Sequence, residues 1–317
     1  MAERKPVYAL SISGRLTLEM HSLNNEGGEG NQTMTRMVAL VTPDGQVHKV
    51  NAISGDMFKH IQAEHYYLLA KTNHLPLCAG CATFSAERIL GDKEFITALK
   101  SEKWTDEETL NRLLQRCALD DTEGTLIAQG ARSIPRKSIA EFSWVVGIPE
   151  HVRTESYFHV RYASERGGDE GVSQPIFHRP ASSGVYAAVA TFEIARIGFN
   201  DVSQTYAIDE AERQRRYETF LKSVTYTYIE PNGAMRGTQN PHIHAFNGVI
   251  TISHGVMPAP TISPLEEDFV DQVTRIAQSL DPIGEILEVK RFENMAEFAA
   301  LMQDILESTR PYTLFQA

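Results

Sequence analysis

Apolar and polar residues alternate along VYALSISGRLTLEM, residues 7–20, the period-two pattern of a strand with one buried face. A polar, glycine-rich loop follows at residues 21–33. The run RMVALVTPDGQVHKVNAI, residues 36–53, predicts a hairpin that turns at Pro43, Asp44 and Gly45. The period then changes to that of a helix. Ser54 is its expected N-cap, and Met57, Phe58, Ile61, His65, Leu68 and Leu69 share one face. Residues 72–135 differ in character and predict a helical insertion, with Thr105 and Glu108 forming a capping box. Strand patterning returns at 138–148, 154–164 and 184–199, the last two flanking a polar tip at 165–183. A strongly charged helix is expected over 209–226. Ser263, Pro264 and Glu266 predict the start of a further helix, GEILEVKRF (284–292) a strand, and residues 294–308 an amphipathic helix. This order predicts an α+β sheet domain with two large excursions, distinct from the regular βα alternation of a Rossmann fold or barrel.

A chain of 317 residues, 42% of them hydrophobic, can bury one large core with insertions or two smaller ones. The formal net charge of −11 argues against a surface that is basic overall, but a nucleic-acid groove needs only local positive charge. The three cysteines, Cys78, Cys81 and Cys117, are too few for a disulfide framework and suit a reducing compartment. The N-terminus lacks a signal-peptide pattern, and no run reaches the ~20 apolar residues of a membrane span. A soluble, cytoplasmic protein is expected.

Several groups of residues carry candidate chemistry. Ser54 and Gly55 open a helix, with Lys59 and His60 one turn further in. Unpartnered N–H groups and the helix dipole favour an anion at such a start, and a glycine lets it approach the backbone. An ordinary cap with a solvated lysine fits the same residues. In the glycine-rich loop, Asn24, Asn25, Asn31 and Gln32 can hydrogen-bond sugar or phosphate, with Arg15 and Arg36 flanking it. Phe177, His178 and Arg179 pair an aromatic ring with cations, which suits stacking on bases. Cys78-x-x-Cys81, with Cys117 and His74, could complete a four-ligand zinc set, but buried free cysteines are common. No metal and no cofactor are assigned. His242-x-His244 lacks the further ligands a metal-dependent hydrolase needs, and no nucleophile–base pair stands out.

Five segments occur in a telling order: SISGRL, SLNNEGGEGN, NAISGDMFKH, FHRPASSGVYA and ARIGFNDV. Together they resemble the signature segments of the backbone subunit of type I CRISPR–Cas interference (Cascade) complexes, the Cas-seven family in its DevR-type branch, over roughly residues 5–255. The resemblance implies an RRM-like (ferredoxin-like) palm with a helical fingers insertion and a β-hairpin thumb. The palm would take residues 1–71, 136–148 and 185–317, the fingers 72–135 and the thumb 149–184. It implies a non-catalytic subunit that polymerises along the spacer of a CRISPR RNA and presents it for pairing with target DNA. Its partners would be that RNA, target DNA through the guide, other copies of itself, a large subunit, a guide 5′-handle-binding subunit and a guide-processing endonuclease. The RNA-binding residues would be Arg15, Asn24, Asn25, Asn31, Arg36, Ser54, Gly55, Lys59, His60, Phe177, His178 and Arg179. Type III relatives cleave RNA with an aspartate in the first loop. Here that loop offers Glu26 and Glu29 instead. Two alternatives stay open: an endoribonuclease acting through Glu26 or His60, and a DNA-binding autoregulator, for which no helix-turn-helix pattern is seen.

Overall fold

The computed structural model describes residues 4–24, 27–129, 132–160 and 176–315. A large antiparallel sheet organises the α+β chain. Its main strands, in chain order, are β1 (Ala9–His21), β2 (Met37–Val41), β3 (Val47–Ile53), β4 (Ala140–Phe142), β5 (Val145–Val160), β6 (Ile176–Phe192), β7 (His242–Ser253) and β8 (Leu287–Phe292). Across the sheet they run β8-β7-β1-β6-β5-β3-β2, and β4 also pairs with β6. The helices are α1 (Gly55–Thr72), α2 (Ala79–Ala82), α3 (Lys93–Glu102), α4 (Asp106–Arg116), α5 (Ala118–Glu123), α6 (Glu210–Ile229), α7 (Phe269–Leu280) and α8 (Met295–Ser308).

Alternation along β1 decides which face is dry. Leu10, Ile12, Leu16 and Leu18 join Phe58 and Tyr66 of α1, Phe220 and Tyr228 of α6, and Phe298 of α8 in the main core. Fully burying one such aliphatic side chain contributes ~1.5–3 kcal/mol, so this face holds the helices to the sheet. The opposite face is covered locally by a small cluster in which Val249 of β7 meets Phe269 and Val273 of α7.

The hairpin of β2 and β3, the Ser54 cap and the Thr105–Glu108 capping box form as their residue types predict. Four expectations need correction. Leu68 is 52% exposed, because it stands at the edge of the α1 stripe centred on Phe58, Ile61, Gln62 and His65. The 138–148 strand is broken: β4 ends at Phe142, and β5 starts at Val145 after an exposed Trp144. The Ser263 cap does not start a helix. Arg15 takes the carbonyls of Pro264 and Glu266, oxygens a helical turn would otherwise use, and α7 begins only at Phe269. The helical stretch ends in a hairpin, Thr125–Gln129 with Arg132–Arg136. Residues 161–175, including most of the expected polar tip, lie outside the described residues, as do Asn25 and Glu26.

Candidate nucleic-acid interface

The glycine-rich loop is anchored at both ends. At its start Asn24 is buried, and its amide bridges to the strand leading into α1: Nδ2 donates to the Ala52 carbonyl at 2.7 Å, and Oδ1 accepts the Ser54 N–H at 3.0 Å. At its far side a two-residue strand, Gln32–Thr33, lies beside β6. There the His178 N–H donates to the Asn31 carbonyl at 2.9 Å. Asn24 with Ser54 and Asn31 with His178 thus mark two ends of a strip, one at the start of α1 and one at the β5–β6 hairpin.

A buried polar relay holds the floor of this strip. The His21 Nε2–H faces the Tyr186 hydroxyl at 2.9 Å, and that hydroxyl donates to Asn51 Oδ1 at 2.9 Å. Asn51 Nδ2 in turn donates to Thr35 Oγ and to the Arg36 carbonyl, both at 3.0 Å. The relay fixes the backbone that carries Arg36, whose guanidinium lies 5.4 Å over the ring of Trp144. Burial pushes the His21 imidazole down to about 3, so it stays neutral.

After a register shift between Gly147 and Val152, the hairpin of β5 and β6 runs in step from the Val152–Gly184 pair to Val160 and Ile176. Phe177, His178 and Arg179 are therefore strand residues, not part of a loop. His159 stacks on Phe177 at 5.5 Å with the ring planes 11° apart, and the Arg179 guanidinium lies 4.9 Å from the centre of the same Phe177 ring. On the other face Phe158 meets His178 edge-on at 5.7 Å and is 59% exposed. Arg179 Nη1 also reaches Thr238 Oγ at 3.4 Å, and Gln239 Nε2 donates to the Pro180 carbonyl at 2.8 Å, so the loop before β7 supports the hairpin.

A family model for the CRISPR-associated negative auto-regulators DevR/Csa2 matches residues 12–274. The chain belongs to this family. A relative of this DevR/Csa2 member, the CRISPR-associated protein Cas7/Cst2/DevR of Methanocaldococcus jannaschii, is 22% identical to it over 94% of this chain and 97% of its own. One chain of a solved CRISPR RNA-guided surveillance complex, pre-nicking, matches 94% of this chain and 99% of its own length, with a TM-score of 0.51 at 12% identity. That likeness is one of fold.

The geometry reassigns several residues of this DevR/Csa2 protein. Arg15 leaves the strip: its guanidinium is spent on Pro264 and Glu266 and lies 5.8 Å over Phe269. Asn24 and Ser54 use their side-chain groups internally, Ser54 Oγ accepting the Met57 N–H at 3.2 Å. They shape the strip from beneath. Gly55 is buried, and a Cβ there would stand 2.5 Å from the Phe142 carbonyl oxygen. The missing side chain therefore makes room for β4 and not for a phosphate. Lys59 is half-buried and faces Glu123 of α5. Burial pushes that carboxyl above its ordinary range, while Arg88 and Lys59 counter the effect. His60 is exposed, with its ring 5.5 Å from Phe84.

Sequence reasoning missed Trp144, Phe158 and His159. The three are exposed, although they occur in stretches with strand patterning. An exposed tryptophan at a strand break and consecutive aromatic rings in YFH were the available signals. His74 does not join the cysteines; Asp120 does. A cavity of about 1110 Å³ is lined by Tyr8, Pro258, Tyr312 and Phe315, among others, and by Thr191 at the opposite end of β6 from Phe177. Among the described residues no helix is long and apolar enough to cross a membrane.

Proposed function

We propose that this protein is a non-catalytic, guide-RNA-binding subunit of a CRISPR effector complex. Copies would pack along the spacer of a CRISPR RNA and hold it open for pairing with target DNA. The observation that carries this reading is the pairing of rings with cations: His159 and Phe177 with Arg179 on one face of the β5–β6 hairpin, and Trp144 with Arg36 before β5, while Phe158 meets His178 on the hairpin's other face. Rings that stack on any base, next to charges that meet phosphates, bind single strands with little sequence preference. The resemblance and family membership agree with it. The sheet would serve as an RRM-like palm, residues 72–135 as fingers and residues 149–184 as a thumb that crosses the RNA. Asn25, Asn31, Arg36, His178 and Arg179 remain candidate contacts, and Asn24, Ser54 and Gly55 act as supports. Lys59 offsets the buried Glu123 within the chain, and the exposed His60 would face a neighbouring element of the same assembly. The remaining partners would be target DNA through the guide, a large subunit, a guide 5′-handle-binding subunit and a guide-processing endonuclease. The proposed site of action is the cytoplasm.

The test is to express the protein with a CRISPR array and analyse nucleic acid that co-purifies. Discrete RNA of guide length, bound by several copies, is expected. Phe177→Ala should weaken single-stranded RNA binding by ~1–3 kcal/mol, roughly 5- to 160-fold, without changing the melting temperature. Stronger binding to duplex DNA than to RNA, or metal-dependent cleavage of bound RNA, would overturn the proposal.

A further inference from the structure

Four donors from two chain segments converge inside the helical insertion, away from the strip. Cys78 and Cys81 flank the start of α2; Cys117 and Asp120 flank the start of α5. The three Sγ atoms and a carboxylate oxygen lie within 4.8 Å of one another, and all four residues are buried. The segments repeat one local geometry. Cys78 Sγ accepts the Cys81 N–H at 3.4 Å, and Cys117 Sγ accepts the Asp120 N–H at 3.4 Å. In each, the first ligand is oriented by the backbone of the second.

We propose that Cys78, Cys81, Cys117 and Asp120 bind one zinc ion that staples α2 to α5. Three observations carry it. The first is geometric. Zinc–sulfur bonds of ~2.3 Å and zinc–oxygen bonds of ~2.0 Å give a tetrahedron with edges of ~3.5–3.8 Å. Asp120 Oδ2 is 3.2 Å from Cys78 Sγ and 3.5 Å from Cys81 Sγ, close to the edges of such a tetrahedron. The second is that all three cysteines are free thiols, so the segments have no covalent link to each other. The third is an unmet polar need. Asp120 is fully buried, and its Oδ1 has no hydrogen-bond partner among the described residues, although such an oxygen costs free energy when left bare. A dication bound at Oδ2 neutralises this buried carboxylate, which the Cys78 and Cys81 thiols contact. Three thiolates and one oxygen in a closed tetrahedron select zinc over harder cations.

The surrounding chain is shaped for the cage. A Cβ at Gly80 would stand 2.0 Å from the Arg88 carbonyl oxygen, so the glycine within Cys-Ala-Gly-Cys lets the 88–91 turn close over α2. The Ala118 N–H also donates to the Pro76 carbonyl at 2.8 Å, which brings the two segments into register. Binding replaces thiol protons by the metal: each coordinating Cys loses one proton to solvent, and no redox change occurs.

The test uses the intact wild-type protein, purified without chelator, and metal analysis by plasma mass spectrometry. About one zinc per chain is expected. Replacement by cobalt should add a thiolate-to-metal charge-transfer band and the visible bands of a tetrahedral site. Removing zinc with a strong chelator should lower the melting temperature by several degrees, and added zinc should restore it. Cys117→Ser and Asp120→Asn should each reduce zinc content, and the wild-type cobalt spectrum remains decisive if either variant misfolds. Folded wild-type protein that takes up neither zinc nor cobalt would overturn the proposal. So would a Cys78–Cys81 disulfide in protein kept under reducing conditions. Metal content is read without RNA, so this result stands apart from that of the RNA-binding test.

Discussion

His21 is held neutral between two hydrogen-bonding demands. Its Nε2–H is committed to Tyr186, while Nδ1 is buried with no partner among the described residues. Protonation would place a hydrogen on Nδ1 with nowhere to donate it, inside the relay that fixes Asn51 and the Arg36 backbone. The folded-state value of about 3 lies below the ~6.5 of an unfolded histidine. The contribution is therefore fully present above pH ~6.5 and is lost progressively as the pH falls towards 3, because only the unfolded chain takes up the proton. Melting temperature should drop between pH 6.5 and 4.5 in the wild type. His21→Gln keeps a donor for Tyr186 but does not titrate, so its pH profile over that range should be flatter. An unchanged slope would show that His21 does not govern it. At this scale the sequence identified Asn24 and Ser54 as important polar residues. It did not show that their side-chain groups are turned inward, since burial depends on chain folded on top of them.

At the scale of elements, one carboxylate joins the helical insertion to the sheet's helices. Asp121 of α5 accepts from Arg136 Nη2 at 2.7 Å, from Arg216 Nη1 of α6 at 2.9 Å, and from the Gly198 N–H. Arg216 and Asp121 are both fully buried. The three segments are distant in sequence, and the charge of α6 alone gives no hint that its Arg216 belongs inside. Asp121→Ala leaves two guanidinium groups without their shared partner and should cost ~3–5 kcal/mol, read as a lower urea midpoint. Arg132→Ala breaks an exposed pair with Asp106 and should cost no more than ~1 kcal/mol. If the two variants were equally stable, the buried charge network would not be what holds α5 against α6.

At the scale of the molecule, the net charge of −11 is compatible with the proposed nucleic-acid strip, because such a strip needs only local positive charge. Binding dominated by phosphate and stacking contacts should give affinities for unrelated guide sequences that agree within ~threefold. It should also weaken steeply with salt. Arg179→Ala should make the log–log salt slope shallower by ~0.7, the value for one phosphate contact to a single strand. Filter binding or fluorescence anisotropy across a salt series checks both, and strong preference for one sequence would contradict the proposed role. Among the described residues the outer strand β2 has no partner on its far edge, and Met37 and Val41 are exposed there.

Local patterns in the sequence determined most of the elements. Period-two alternation specified β1, the Pro43-Asp44-Gly45 turn set the β2–β3 hairpin, and Ser54, Thr105 and Asn294 capped α1, α4 and α8. These depend on neighbours within a few residues, so a single chain displays them. Tertiary structure decided what each side chain faces. Arg15 flanks the glycine-rich loop in sequence, yet it turns to Pro264 and Glu266, some 250 residues away in the chain. The glycine at 55 looked like room for an anion and is filled by the carbonyl of Phe142. Cys117 and Asp120 join Cys78 and Cys81 only because α5 packs back against the segment before α2. Pairings across such separations are selected by packing in the folded core, and no local spacing encodes them.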